Sequence, residues 1–468
     1  MMYLRYLRIT TVLVIVITVL LLSYYLHIPN NPPPLDNVGL MYTDIVYGLF
    51  NPIFRDIVNP DGTPNGEKIN SKWFNNEAAM KLLSSEKLCP IPYRDYKFEY
   101  PPIIGLMWFI TTCTSIHMTL PERYTGSDYY RLSEVMAEKH YILQSAIIAL
   151  FFIVTTLYMY RIVSAYNSSL KRIIIFAILP STVIYMIYNW DIITVAFMVM
   201  ALYYLFNEKY LLSGLLLGLS IATKLLPIMF ALILIYDILQ KYRSNNFPKR
   251  NLIDISTGLI ITGALPYLVI MIVSYNGFTY FIDHHYNWYC ENCIYSIITQ
   301  NVWSPYNRIY AMFLVIVFLL ITASIEIDLK NPKEVLTIAL ISMIISTTLS
   351  YVFSPQMMLL ISSIAVLVLP LRQLIFLVIA DVANFGIMYL FFKDLEARQW
   401  LSKYLGINIK LEYAPHVSDS PVQIVAMIRN VILILILLEC IYTVAKTKFT
   451  SRTSIIEEPN NTSAVLQS

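Results

Sequence analysis

Long apolar runs recur along the whole chain and constrain its fold more than any other feature. Most contain roughly 18 to 22 residues, enough for a helix to cross about 30 Å of hydrocarbon. Only 13% of the 468 residues are charged, about half the share of an average soluble protein. Inside a bilayer the backbone N–H and C=O groups must pair within the protein, which favours helices. The sequence therefore predicts an all-α polytopic membrane protein.

Twelve apolar segments have the composition of transmembrane helices. The first follows Arg5 and Arg8, and its length and lack of a cleavage site favour a retained span over a signal peptide. We take 1–445 as one transmembrane domain and expect the polar tail 446–468 to be disordered. The twelve segments are 9–27, 140–160, 172–189, 191–206, 210–224, 226–240, 252–275, 308–325, 334–353, 356–370, 372–392 and 422–445.

Basic residues in the short loops predict the orientation. The loop 240–250 holds four basic residues, and short cytoplasmic loops carry an excess of Lys and Arg. If successive loops lie on alternate sides of the cell membrane, counting from this loop places both termini on the cytoplasmic side. The apolar run 101–120 then has both ends outside, which predicts a re-entrant or interfacial segment rather than a thirteenth span. Four longer loops fall outside, at 28–100, 121–139, 276–307 and 393–421.

Polar side chains near the predicted membrane boundary collect on the external side. This distribution fits an enzyme that works at one water interface, whereas a transporter places such groups near the midplane. Each residue alone has a plain structural alternative, such as a solvated loop or a lysine that extends to lipid phosphate. Pro227 favours a helix break, which would bring Lys224 to the external boundary. The candidate residues are Asp44, Asp95, Glu99, Tyr100, Asp191, Lys224, His284, His285 and Gln356.

Cys290 and Cys293 form the single CxxC sequence of the chain. A redox or metal role would need a second such pair, so a loop disulfide, with Cys89 as a further candidate, is the favoured interpretation. The external acidic residues form no recognisable ligand set, so no metal site is predicted, although a divalent metal is compatible with the chemistry. No basic stripe is present, which argues against nucleic acid as a partner.

Five motifs follow one another along the chain: YTDIVY around Asp44, PYRDYKFEYPP through Glu99, NWDIITVAF through Asp191, SGLLLGLSIATKLLP through Lys224, and FSPQ ending at Gln356. In this order they resemble the GT-C superfamily of membrane glycosyltransferases. The branch they resemble most is glycosyltransferase family 87, which uses polyprenyl-phosphate mannose, and the resemblance covers most of 1–392. The family often has His-x-x-Arg followed by Glu-Ser in a later loop, and HHYNWYCEN departs from that pattern.

The resemblance implies a GT-C-like bundle of about 12 transmembrane helices with a large first external loop. It implies inverting transfer of a hexose, mannose in the family, from a polyprenyl-phosphate donor outside the cytoplasm. The acceptor would be a hydroxyl of a glycolipid or lipid-linked oligosaccharide. Asp44 matches the general base of the family and Lys224 a lysine suited to the leaving phosphate, while His284 or His285 resembles a loop histidine. Glu99 and Tyr100 are expected to contact substrate, as is Asp95 to a lesser degree.

Two other functions fit the sequence less well. A transporter or flippase of lipid-linked sugars should show two repeated halves with paired broken helices, and the sequence has one break and no repeat. An O-antigen polymerase or ligase usually relies on arginines in a late external loop, and 393–421 contains Arg398 alone.

The Ile- and Tyr-rich, Gln-poor composition is typical of thermophilic archaea. Asp95 or Glu99 could supply a second carboxylate for double displacement, so inversion rests on the family resemblance.

Overall fold

The described part of the chain is helical throughout. The computed structural model describes residues 2–29, 40–84, 86–166 and 169–456, and these contain isolated β-bridges but no extended strand. The predicted all-α class is confirmed. The helices are α1 (Met2–Leu26), α2 (Asp44–Arg55, π-helical), α3 (Gly66–Lys72), α4 (Asn76–Leu83), α5 (Pro102–Thr119), α6 (Gly126–Ala165), α7 (Lys171–Ile178), α8 (Pro180–Tyr185), α9 (Asp191–Phe206), α10 (Tyr210–Thr223), α11 (Ile228–Arg243), α12 (Lys249–Leu259), α13 (Leu265–Val273), α14 (Tyr275–Asn287), α15 (Ser296–Thr299), α16 (Tyr306–Ala323), α17 (Pro332–Thr348), α18 (Met358–Val368), α19 (Leu371–Phe392), α20 (Asp394–Leu405) and α21 (Pro421–Ile456).

Five helices in the described residues are long and apolar enough to cross a membrane. They are α6, the continuous unit α12–α13 with its π-helical turn Ile260–Ala264, α16, α19 and α21. Each of the twelve predicted apolar segments contains helix, but several helices, such as α9 and α10, are shorter than a full span. The multi-pass architecture therefore stands, while the predicted count of about 12 spans is not established.

The apolar run 101–120 forms α5, which is not among the five candidate spans. Its neighbour α6 has 40 residues, about 60 Å at 1.5 Å per residue and about twice the thickness of the hydrocarbon. Lys139 of α6 donates to the Met118 carbonyl at 2.6 Å, and Gln144 donates to Thr111 Oγ1 at 2.7 Å. These contacts lie where α6 changes from a polar to an apolar sequence. That α5 is a re-entrant or interfacial segment, and does not cross the membrane, stays a prediction.

The helix break predicted at Lys224–Pro227 is confirmed. Helix α10 ends at Thr223, where the Lys224 N–H still bonds the Ser220 carbonyl at 3.0 Å, and α11 begins after Pro227. The proline lacks the N–H that a continuous helix would need at this point. The break leaves the Lys224 side chain at the end of the bundle where α9 begins.

Two boundaries differ from the sequence prediction. The predicted span 172–189 is divided into α7 and α8 by Leu179 and Pro180, because proline favours the first turn of a helix over its interior. The last helix, α21, continues to Ile456, beyond the predicted end at 445. Part of the tail expected to be disordered is therefore helical, and residues 457–468 lie outside the described residues.

The first long loop is fastened to the helices through Tyr93. Its backbone has a φ of 66°, and its ring packs so closely on Gly105 of α5 that a Cβ there would overlap it. Its carbonyl accepts a hydrogen bond from Ser274 Oγ at 2.8 Å and lies against Gly277, which also has no room for a Cβ. Its hydroxyl donates to the Tyr100 carbonyl at 2.6 Å. This anchoring sets the position of Glu99 and Tyr100.

Two disulfides occur among the described residues. Cys290 and Cys293 are bonded to each other, which confirms the expected loop disulfide. Cys89 is bonded instead to Cys113 of α5, a pairing that the sequence did not indicate. Among the described residues Cys89, Cys113 and His117 lie close enough to hold a metal ion, but their thiols are consumed by the disulfide.

Candidate active site

A cavity of about 930 Å³ lies at the end of the bundle where α9 begins and α10 ends. It is closed on the other sides by the first long loop, by α14 and by the segments before α18 and α21. Eight of the nine residues singled out from the sequence line this one cavity, so the structure brings together groups that are dispersed over more than 300 positions. The eight are Asp44, Glu99, Tyr100, Asp191, Lys224, His284, His285 and Gln356.

Asp44 is the first residue of α2 and points into the cavity. Its Oδ2 accepts hydrogen bonds from Asn189 Nδ2 at 2.8 Å and from the Tyr100 hydroxyl at 3.3 Å, and Tyr42 is a third neutral partner. One turn along α2, Gly48 leaves room for this group, since a Cβ there would lie 3.1 Å from Asp44 Oδ1. No ion pair with Asp44 occurs among the described residues.

The surroundings of Asp44 make it a stronger base than an ordinary aspartate. Removal from bulk water raises its pKa to about 7, and the negative charges of Glu99 and Glu291 add to this rise. The hydrogen bond from Tyr100 opposes it. A general base works best when its pKa lies near the working pH. Asp44 therefore has both the position and the proton affinity that a base in this cavity needs.

The sequence Asn189-Trp190-Asp191 connects the two charged ends of the cavity. The Asn189 side chain donates to Asp44 through Nδ2 and accepts the Trp190 N–H through Oδ1 at 2.5 Å, which fixes its orientation. Trp190 Nε1 donates to Gln144 Oε1 of α6 at 2.9 Å. The Tyr100 ring meets Trp190 edge-on at 4.6 Å. The start of α9 thus holds the Asp44 carboxylate in place.

Asp191 and Lys224 form a hydrogen-bonded ion pair at the edge of the cavity. Asp191 is the first residue of α9, where the helix dipole favours an anion, and Lys224 follows the last residue of α10, where it favours a cation. The Asp191 side chain is 1% exposed and that of Lys224 is 19% exposed. The second oxygen of Asp191 has no hydrogen bond among the described residues. The pair therefore presents its ammonium end to the cavity.

His284 lies opposite Glu99, with 3.6 Å between Nε2 and Glu99 Oε2. Burial, together with the charge of Lys72, lowers the pKa of His284 to about 4. Burial also raises the pKa of Glu99. The lowered pKa of His284 leaves its ring neutral at neutral pH, so this contact is not a strong ion pair there. His285 turns its Nδ1 to the Phe281 carbonyl at 2.8 Å, and burial lowers its pKa too.

Gln356 and Asp95 have different surroundings. Gln356 lies in the 3₁₀ turn Pro355–Met357 and lines the cavity. Asp95 does not line it: its carboxylate accepts the Ile91 N–H at 2.7 Å and the Arg94 guanidinium at 2.9 and 3.0 Å. Asp95 is 3% exposed, and these contacts close the turn within its own loop. The geometry thus gives Asp95 a structural place in the loop rather than a place at the site.

Several lining residues were not singled out as site residues from the sequence. Asn189 precedes the recognised Trp-Asp pair, which was the one available signal for it. Glu291 lies between the bonded cysteines, and its carboxylate accepts Trp288 Nε1 at 2.9 Å. The remaining residues come from elements that are distant in sequence, so no local pattern identifies them. The lining residues missed include Tyr42, Lys72, Tyr188, Asn189, Glu291 and His416.

Comparison with protein-family models gives one finding. Residues 136–350 match the model of glycosyltransferase family 87. The matched region contains the Asp191–Lys224 pair and both cavity histidines, whereas Asp44 and Glu99 precede it. No match to a curated protein was found.

Proposed function

We propose that this chain, whose residues 136–350 match glycosyltransferase family 87, is a membrane glycosyltransferase that transfers a hexose from a polyprenyl-phosphate donor with inversion. Mannose is the sugar we propose, and the acceptor is a hydroxyl of a glycolipid or lipid-linked oligosaccharide. The observation that carries the proposal is Asp44, a cavity carboxylate with neutral hydrogen-bond donors and a pKa of about 7. The site faces the extracytoplasmic side of the cell membrane.

The proposed reaction is a single displacement with Asp44 as general base. The acceptor hydroxyl gives its proton to the Asp44 carboxylate while its oxygen forms the bond to the anomeric carbon. The bond between that carbon and the phosphate oxygen breaks, and its electron pair leaves with the polyprenyl phosphate. The proton on Asp44 is then released to water. One displacement at the anomeric carbon inverts its configuration.

Lys224 is proposed to stabilise the leaving phosphate. Negative charge develops on the phosphate as the glycosidic bond breaks, and a fixed cation nearby lowers the energy of that transition state. Its ion pair with Asp191 holds the ammonium group at the cavity edge before the donor binds. Glu99, Tyr100, His284, His285 and Gln356 line the same space and are proposed to bind substrate hydroxyls.

The orientation of the loops supports an extracytoplasmic site. Loops with an excess of Lys and Arg, such as 240–250, are predicted at the other end of the bundle. The two disulfides lie in or beside segments predicted to be external, and disulfides persist in oxidising compartments. Cysteine labelling at an exposed residue of the first loop would test the assignment, since access only from the cytoplasm contradicts it.

The decisive variant is Asp44→Asn, assayed as purified full-length protein with polyprenyl-phosphate mannose or glucose and a lipid extract as acceptor. We expect transfer to fall by about 10²- to 10⁴-fold, because a neutral amide cannot take the proton. The matched control is Asp61→Asn, which changes an exposed carboxylate of the same loop. Asp44→Asn activity within about threefold of wild type would contradict the role of Asp44 as base.

Stability measurements separate loss of chemistry from loss of fold. The pKa of Asp44 in the folded protein is raised to about 7, so its ionisation reduces the free energy of unfolding as pH rises from about 4 to about 7. The Oδ1 atom of the variant amide can accept the hydrogen bonds from Asn189 and Tyr100 without that cost. We therefore expect Asp44→Asn to be at least as resistant to thermal unfolding as wild type at pH 8. A large loss of stability would mean that the activity result reports misfolding.

A further inference from the structure

A continuous chain of eight aromatic rings lines the cavity, and we name it the aromatic arc. Its members come from α14 and the loop after it, from α19, from the loop before α21, and from the residues before α2 and α9. Consecutive rings lie 4.8 to 6.0 Å apart between centroids. In order, the rings are His284, Trp288, Tyr289, His416, Phe391, Phe392, Tyr42 and Tyr188.

The two ends of the aromatic arc adjoin the carboxylates of the site. At one end His284 faces Glu99 at 3.6 Å. At the other end Tyr42 hydrogen-bonds the Asp44 side chain, and the Tyr188 carbonyl accepts the Asp44 N–H at 3.2 Å. A molecule lying along the arc would therefore have one end beside the proposed general base.

The rings of the arc remain accessible from the cavity. Core aromatics such as Trp108 and Phe98 are fully buried, whereas Trp288 and Tyr289 are only half-buried and His416 is exposed. Rings that contact one another, yet keep exposed surface inside a pocket, leave apolar area available to a ligand. The arc is thus a lining surface rather than a part of the core.

The segment that carries His416 is fixed by a buried charged group. Arg398 is fully buried and donates to the Ala414 carbonyl at 3.0 Å and to the Asp394 carboxylate at 2.8 Å. Asp394 in turn accepts the Ala414 N–H at 2.8 Å, and Gln423 donates to the Pro415 carbonyl at 3.0 Å. A buried ion pair is tolerated only when its polar atoms are satisfied in this way. The two residues before His416 are therefore held in place.

The chemistry of the arc fits neutral sugar rings. The C–H groups of a pyranose form an apolar face that stacks on the electron-rich face of an aromatic ring. Its hydroxyls would meet hydrogen-bonding groups beside the arc, such as Glu99 and Glu291. None of the eight ring residues is a lysine or arginine, and the carboxylates of Glu99 and Glu291 beside the arc repel an acidic sugar. Eight rings also exceed what one pyranose can contact.

We propose that the aromatic arc binds the acceptor, that the acceptor carries at least two neutral pyranose units, and that His416 determines which acceptor is taken. The proposal rests on the proposed glycosyltransfer at this cavity and adds the class of acceptor. Half of the arc, including His416 and Phe391, lies outside the region matched to family 87. The residue that determines the acceptor, His416, thus lies outside the region matched to family 87.

The test measures disaccharide binding to the purified full-length protein by saturation-transfer difference NMR. The probes are α-1,2-mannobiose, maltose and cellobiose, with a glucuronate-containing disaccharide as the charged comparison. We expect at least one neutral probe to bind, and His416→Ala and Tyr289→Ala to weaken it by about three- to tenfold. His416→Phe retains a ring and should restore binding. Trp400→Ala, an exposed aromatic of α20 that does not line the cavity, is the matched control and should bind as wild type does.

Each outcome decides the proposal. Absence of binding by all neutral probes, preference for the glucuronate probe, or equal binding by His416→Ala and wild type would overturn it. The same measurement on Asp44→Asn separates this proposal from the proposed chemistry, because that variant should lose transfer yet keep disaccharide binding. With an active acceptor, His416→Ala should raise KM for the acceptor by about three- to tenfold and leave kcat nearly unchanged.

Discussion

Asp44 and Asp191 are two aspartates of one cavity with opposite electrostatic surroundings. Asp44 is buried and close to the carboxylates of Glu99 and Glu291, and burial together with these like charges raises its pKa to about 7. Its hydrogen-bond donors are neutral and do not cancel this rise. Asp191 has the ammonium group of Lys224 as its partner and begins a helix. The first arrangement favours taking a proton, and the second favours holding a cation. One residue type thus fills two roles because its partners differ.

The two aspartates also differ in whether they lie inside residues 136–350, the region matched to family 87. Asp191 and Lys224 lie within the residues matched to family 87, while Asp44 lies in the preceding loop. They meet because Asn189, two residues before Asp191, donates to Asp44. The site is therefore a joint product of the matched region and the segments that flank it.

After Asp44→Asn, the largest effect is expected from breaking the ion pair between Asp191 and Lys224 at the Lys224 end. Lys224→Met should reduce transfer about 100-fold, because the leaving phosphate loses its cation. It also leaves the nearly buried Asp191 charge unpaired, which should cost about 3 kcal/mol of folding stability. The double variant Lys224→Met, Asp191→Asn should recover the stability but not the activity. If the double variant recovers both, Lys224 is a structural residue only.

A smaller effect is expected from removing a charge near Asp44. In the pH profile of kcat/KM, the rise on the acid side (the acid limb) is expected to reflect ionisation of Asp44. Glu99→Gln should move the midpoint of this limb to lower pH, because the negative charge of Glu99 helps to raise the pKa of Asp44. Loss of a substrate hydrogen bond should also reduce the plateau about tenfold. The wild-type limb is expected near pH 7, since Asp44 must be ionised to accept a proton. An unchanged limb would remove Asp44 as the titrating group.

The smallest effect is expected from Tyr100→Phe. The hydroxyl donates to Asp44 at 3.3 Å and lowers its pKa, so its removal should move the acid limb to higher pH. The plateau of kcat/KM should fall about threefold, as for one weak hydrogen bond. Glu99→Gln and Tyr100→Phe thus shift the same limb in opposite directions. Shifts in one direction would show that the limb reports something other than the charge balance at Asp44.

Features that depend on local chemistry could be predicted from the sequence. The break after Thr223 follows from Pro227, and the helical class follows from apolar runs that must satisfy their own backbone. The number of full spans could not be obtained in this way, because several apolar segments, such as 172–189, are divided or end early in the folded chain.

Features that depend on tertiary contacts were recovered only in part. Order along the chain and family resemblance pointed to Asp44 and Lys224, which do line one cavity. Asp95 was expected to contact substrate to a lesser degree than Glu99, and its carboxylate instead closes its own turn with Arg94. His416 carried no signal, because its place depends on the buried Arg398.

The hydrogen bond between Asn189 and Asp44 joins residues 145 positions apart. During synthesis Asp44 leaves the ribosome long before its partner, and the loop that follows it must wait for α9 before it can dock. The segment with His416 is made later still. The residues that line the cavity are therefore all present only after nearly the whole chain has been synthesised.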